Sequence, residues 1–265
     1  MNTNTHIHEL LFSLLEKSGL HIICESTQGV PFLANLPNHQ NIFILPCCDD
    51  TLINTAMGMA ISGTPVIVVL STDQSLASIQ ALLEEETYGP EFTLPLLIVV
   101  PTEKAILHTH STHIVYCKTG EQLYAHIKEK SVRPAINIVC YHHSALFDLL
   151  SHDIHQISAQ TASKYSEGTH ITLLTTGTDI ETAKGFAEEN SDIELIELIS
   201  VHPFCTQTIA DSVQKTGRVL MLNTPIQLTN HILDTCFWHL EAQPEYTNDS
   251  NHQNLSRLRA RLLET

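Results

Sequence analysis

Short, fully apolar runs alternate with longer amphipathic stretches along most of the chain. HIIC (21–24), NIFIL (41–45), PVIVVL (65–70), LPLLIVV (94–100), HIVY (113–116) and AINIVC (135–140) read as strands. Residues 10–17, 49–62, 74–86 and 121–129 carry helical periodicity instead. Strands that are apolar along their whole length and joined by helices predict a buried parallel sheet with helices on both faces. From 141 to 168 the text turns polar and rich in His and Ser, which predicts an interdomain connection with at most one helical turn. Alternation then resumes with HITLLTTG (170–177), a helix over 179–190, IELIEL (193–198), a helix over 206–215, RVLMLN (218–223) and a helix over 229–240. The predicted organisation is an α/β domain over 1–140, a connection over 141–168, a smaller α/β domain over 169–245 and a polar tail over 246–265. That tail closes in a helix bearing Arg257, Arg259 and Arg261. No fixed-period repeat is visible.

Composition narrows the function classes. At 265 residues, 43% apolar and 16% charged, the chain carries fewer charges than the roughly 25% of an ordinary soluble protein, so much of it is expected to be buried. A formal net charge of −16 opposes general binding to nucleic acid or to an anionic membrane. The longest apolar runs fall short of a membrane span, and MNTNTHIHELLF has no basic segment leading into an apolar one. A cytoplasmic protein is expected, an organelle matrix being the other compatible compartment. Seven cysteines, an odd number without small-scaffold spacing, read as reduced thiols, with Cys24 and Cys140 inside strands. Only ten glycines are present, and none form a phosphate-cradling or dinucleotide-binding cluster.

The most informative window is LPCCDDTLINTAMGMAISGTPVIVVL (45–70). Asp49 and Asp50 stand where a helix begins, and carboxylates there cap free N–H groups and meet the positive end of the helix dipole. Cys47 and Cys48 read as small apolar residues packed under the turn, or as thiols made acidic by the helix N-terminus. The same window resembles the pyrimidine-binding domain of transketolase-like thiamine diphosphate enzymes, most closely the beta subunit of 2-oxo acid dehydrogenase first components. Pro46, Asp49, Gly58 and Gly63 keep that family's register of turn, acid and two helix glycines. HIVYCKTGEQLYAHIKEKSVRPAINIVC resembles the end of the same domain. GTHITLLTTGTDIETAKGFAEE and IELIELISVHPFCTQTIADSVQKTGRVLMLN, with Pro203, resemble the family's C-terminal domain.

The resemblance implies a thiamine diphosphate site in which a carboxyl group bonded to the aminopyrimidine prepares the cofactor to attack a 2-oxo acid or ketose. Asp49 takes the place of the family's glutamate, one methylene and about 1.5 Å shorter, a displacement that can cost on the order of a hundredfold in rate. Asp50 is the alternative if the helix start shifts by one residue. Cys48, Glu25, Thr72 and Gln74 are the other expected cofactor contacts, Glu25 matching an acidic residue common near the family's subunit interface. Two elements of the family pattern are missing. Where aromatic side chains stack on the pyrimidine, this chain has Ser71, Thr72, Asp73 and Gln74, and the loop carrying an active-site histidine is cut to TEKAILHTHST. Its His110 is the expected remnant of that histidine. His108, His110 and His113 lack a nearby Cys or acid to complete a ligand set, so no metal site is expected. The family's GDG…N element that holds magnesium diphosphate is absent from the sequence. The implied partners are therefore an alpha-type diphosphate-binding subunit, a second copy, or both. A second reading is a structural or regulatory protein that keeps the fold and has lost the cofactor.

Overall fold

The computed structural model describes residues 3–26, 30, 32–33, 39–71, 79, 94–102, 113–131, 135–147 and 159–264. The chain divides into two compact units, with the boundary between Ala159 and Gln160.

In the first unit the elements run Thr3–Ser18 (α1), His21–Cys24 (β1), Ile42–Ile44 (β2), Asp49–Ile61 (α2), Val66–Val69 (β3), Leu96–Pro101 (β4), His113–Cys117 (β5), Gly120–Lys130 (α3) and Ile136–Tyr141 (β6), followed by a 3-10 turn at His143–Phe147. The strands lie in the order β5-β6-β4-β3-β1-β2. Every pairing is parallel. The apolar runs are continuous because both faces are covered. Ile7, Leu11 and Leu15 of α1 join Leu123 and Ile127 of α3 against Ile22, Ile67, Val99 and Val139 on one face. Helix α2 packs on β3, β1 and β4 and buries Leu52, Ile53, Ala56, Met57 and Ala60. α3 begins with a capping box, Thr119 accepting from the Gln122 N–H while the Gln122 side chain accepts from the Thr119 N–H.

In the second unit Ala162–Lys164 (β7), Ile171–Thr175 (β8), Ile180–Glu189 (α4), Ile193–Leu198 (β9), Ser200–His202 (β10), Thr206–Thr216 (α5), Val219–Leu222 (β11), Gln227–Cys236 (α6), Glu245–Thr247 (β12) and His252–Glu264 (α7) follow in order. The sheet order is β12-β11-β8-β9-β7, with β7 antiparallel and the rest parallel. Ile180, Ala183 and Phe186 of α4 pack with Leu255, Leu258 and Leu262 of α7 on one face. Ile209 and Val213 of α5 join Leu228, Ile232 and Cys236 of α6 on the other. Near the start of β9 the buried carboxylate of Glu194 is met by Lys215 and by Lys164 at 3.1 Å.

The α/β architecture with parallel-dominated sheets is as expected, and three local readings are corrected. Of 141–168, expected as a connection with at most one helical turn, His143–Phe147 is such a turn, whereas β6 runs to Tyr141 and Ala162–Lys164 forms an edge strand. A three-residue polar strand paired on one side carries no apolar run for periodicity to detect. Nor is 246–265 a separate tail, since β12 extends the sheet and α7 fills one core layer, with Arg259 gripping Asp192 at 2.7 Å. Helix α1 begins at Thr3, well before residue 10. The expected helix over 74–86 lies outside the described residues, Ile79 apart.

Helix α2 ends in a Schellman motif: the Gly63 N–H donates to Ala60 O at 2.9 Å and the Thr64 N–H to Met59 O at 3.1 Å. Gly63 sits at φ +85°, whereas a Cβ on Gly58 meets nothing within 4 Å. Gly63→Ala is therefore expected to destabilise the chain by about 1–2 kcal/mol. Gly58→Ala is expected to stabilise it by up to about 1 kcal/mol through helix propensity. Urea denaturation of both variants checks this, and equal and opposite signs exchanged between the two would contradict it.

Candidate functional site

β1 lies between β2 and β3, so the chain leaves β1 toward one side of the sheet and leaves β3 toward the other. Diverging connections open a crevice at the carboxyl ends of the two strands, the place where open parallel sheets take up ligands. Register aligns these ends: Cys24 is opposite Val69 on one side and opposite Ile44 on the other. Glu25 follows β1 directly, and Ser71 follows β3 by two residues. The Ser71 hydroxyl donates to Glu25 Oε2 at 3.0 Å across that crevice.

The third segment arrives from β2. The Leu45 N–H donates to Cys24 O at 2.9 Å, continuing the ladder one step, and Pro46 then turns the chain into α2. Cys48 takes the N-cap position, and Asp49 and Asp50 occupy the first turn. Both carboxylates therefore stand in the first turn, at the positive end of the helix dipole, as expected of acids at a helix start. Asp49 is half-buried and Asp50 exposed.

The two thiols diverge. Cys48 is exposed, so it does not pack under the turn as its sequence context suggested. Its Sγ lies 3.4 Å from the Thr51 hydroxyl, and that hydrogen bond, with the Thr51 N–H, holds the thiol below its ordinary value. Cys47 is pushed up, first by desolvation and then by Cys48, Glu25 and Asp49, which places it within the field of both carboxylates. Cys24 and Cys140, buried in their strands, are pushed up by burial to about 11 and about 12.

Glu25, Cys48, Asp49 and Asp50 are therefore gathered at one sheet edge. Thr72, Gln74 and His110 lie outside the described residues. Among the described residues no group of three or more His, Cys, Asp or Glu side chains is placed to hold a metal. The Ser71–Glu25 pair and the Cys48–Thr51 contact were missed as pairs. Their signals were a polar residue closing each apolar run (HIICE, VIVVLS) and a C-x-x-T spacing at a helix start. A carboxylate bonded to a hydroxyl after one strand, with further carboxylates in the first turn of a helix, suits a nitrogen heterocycle whose edge offers N–H donors. Among the described residues the edge provides no aromatic face for stacking.

Several known proteins are similar to this chain in sequence or fold. Residues 160–232 match the transketolase C-terminal domain family. The pyruvate dehydrogenase E1 component subunit beta of Chlorokybus atmophyticus is 26% identical over 242 residues, covering 78% of this chain and 71% of that one. The 2-oxoisovalerate dehydrogenase subunit beta of Pseudomonas aeruginosa is 32% identical over a shorter stretch of 99 residues, 34% of this chain and 28% of that one. Among solved structures, a split-gene transketolase described as an inactive beta4 tetramer superposes with a TM-score of 0.69 at 15% identity, covering 94% of this chain and 90% of that one. The 2-oxoglutarate:ferredoxin oxidoreductase of Magnetococcus marinus gives 0.63 at 11% identity, covering 99% and 65%.

Because the shifts at Cys47 and Cys48 have opposite signs, iodoacetamide should modify Cys48 with a pH midpoint below that of Cys47. Thr51→Val should move the Cys48 midpoint upward. Peptide mapping of alkylation rates against pH checks both, and a lower midpoint at Cys47 would contradict the assignment. Residues 160–232 thus match the transketolase C-terminal domain family, and the chain as a whole is similar to beta subunits of 2-oxo acid dehydrogenases and shares a transketolase-like fold.

Proposed function

We propose that the chain supplies the pyrimidine-binding half of a thiamine diphosphate site in a 2-oxo acid dehydrogenase or transketolase-like enzyme, and that an alpha-type subunit supplies the diphosphate-binding half. The observation that carries this reading is the convergence of Glu25, Ser71 and Asp49 at the carboxyl edge of one parallel sheet, with the acid in the first turn of α2. Beta subunits of pyruvate and 2-oxoisovalerate dehydrogenases are similar along most of this chain or part of it, which favours a 2-oxo acid as substrate.

Asp49 is the residue that would hold the aminopyrimidine, its carboxylate accepting a hydrogen bond from a ring N–H. Glu25 is oriented by the Ser71 hydroxyl, and Cys48 borders the same edge, with Thr72 and Gln74 assigned from the sequence. When bound, thiamine diphosphate supplies a carbon nucleophile for the carbonyl of the substrate. Magnesium and the diphosphate fall to the partner, since the sequence holds no GDG…N element. Exposure of Glu25 and Cys48 on this chain, and the description of a beta4 transketolase as inactive, both support a site completed by another subunit.

Calorimetric titration of thiamine diphosphate and Mg²⁺ tests the reading. Binding is expected in the presence of the alpha-type subunit and is expected to weaken about ten- to hundredfold in Asp49→Ala while surviving in Asp50→Ala. No binding with or without that subunit would contradict it and favour a non-catalytic role.

A further inference from the structure

Two of the seven cysteines, Cys47 and Cys48, are neighbours in sequence, and they stand at the turn that starts α2. Cys48 is exposed and Cys47 half-buried, so solvent reaches the pair. The Cys48 Sγ lies 3.4 Å from the Thr51 hydroxyl, and the Thr51 N–H bonds to it as well. Both contacts favour the thiolate, the form that oxidants meet as a nucleophile. Cys47, held protonated by desolvation and by Cys48, Glu25 and Asp49, is the unreactive member. An accessible, activated thiol beside a second thiol is the arrangement of a redox-sensing cysteine and its resolving partner.

The surroundings narrow the oxidant and define the consequence. Glu25, Asp49 and Asp50 act on the pair, on a chain of net charge −16, and repel an anionic disulfide such as oxidised glutathione. A small neutral hydroperoxide meets no such barrier. Adjacent Cα atoms lie about 3.8 Å apart across a trans peptide, closer than the roughly 4.4–6.8 Å of ordinary disulfides. Joining the two sulfurs therefore bends the backbone between Pro46 and Asp49, and strain of that kind makes the bond easy to reduce again.

We infer that Cys48 is an oxidation site for hydroperoxides with Cys47 as its resolving thiol, and that closing the disulfide displaces Asp49 from the cofactor edge. The Cys48 thiolate attacks one oxygen of hydrogen peroxide and the O–O bond breaks. The other oxygen leaves as hydroxide and takes up the proton that Cys48 released, giving water and a sulfenic acid at Cys48. The Cys47 sulfur then attacks the Cys48 sulfur, and the sulfenic hydroxyl departs with the Cys47 proton as a second water. Two thiols lose two electrons, and one peroxide gains them. The effect on cofactor binding rests on the proposed function, whereas the thiol chemistry does not.

The full chain is treated with hydrogen peroxide, then with dimedone, which traps sulfenic acids, and mapped by mass spectrometry. The peptide spanning 46–52 is expected to lose two hydrogens, to gain no dimedone and to recover both thiols in dithiothreitol. Cys47→Ser is expected to carry dimedone on Cys48, and Cys48→Ser to slow oxidation of Cys47 by at least about tenfold. Dimedone on Cys48 of the unsubstituted chain with Cys47 still reduced would overturn the pairing, as would oxidation of Cys48 no faster than that of buried Cys24 and Cys140. With the alpha-type subunit added afterwards, the oxidised chain is expected to bind thiamine diphosphate and Mg²⁺ at least about tenfold more weakly than the reduced one, and dithiothreitol to restore binding. Equal binding by the two forms would overturn the displacement of Asp49. If the reduced chain does not bind either, the proposed function fails, and the thiol pair stands or falls on the mapping alone.

Discussion

The register of three parallel strands is the constraint on which the candidate site depends. Cys24 is level with Val69 and with Ile44, so the segments after β1, β3 and β2 leave the sheet at one height. Only this alignment lets the Ser71 hydroxyl reach Glu25 across 46 positions of sequence, and lets α2 begin beside them. A slip of one residue would exchange the two faces of a strand and send its side chains into the wrong layer. Burial enforces the register, because both faces of β1 and β3 are covered by helices.

What gathers at that edge is negative. Glu25, Asp49 and Asp50 stand together on a chain of net charge −16. Neighbouring carboxylates raise thiol pKa values, yet Cys48 is held low, so the two hydrogen bonds from Thr51 outweigh the nearby Asp50. Such an edge favours a ligand that brings N–H donors over one that brings phosphate. The division of labour in the proposed function has the same physical basis: a heterocycle suits this chain, and a diphosphate with its metal suits a partner.

Much of the fold was legible in the sequence because both sheets are built from apolar runs long enough to see. PVIVVL, LPLLIVV and AINIVC could be nothing but strands covered on both sides. Ala162–Lys164 and Glu245–Thr247 were illegible, being three residues long, partly exposed and dependent on a neighbouring strand rather than on their own composition. The α7 helix looked like a charged tail, since its three arginines dominate the text while Leu255, Leu258 and Leu262 do the packing. At the site, Asp49 and Glu25 were readable from a resemblance and its register. The Ser71–Glu25 bond was not, because it joins strands that are neighbours only after β2 has been placed on the far side of β1.

Hydrogen exchange read by mass spectrometry on the assembled complex, with and without thiamine diphosphate and Mg²⁺, tests the central claim most directly. Ligand should slow exchange in the peptides that span 24–26, 46–52 and 69–71, because closing the crevice suppresses local opening of those three segments. Unchanged exchange in all three, with protection elsewhere in the chain, would contradict the placement of the site at this sheet edge.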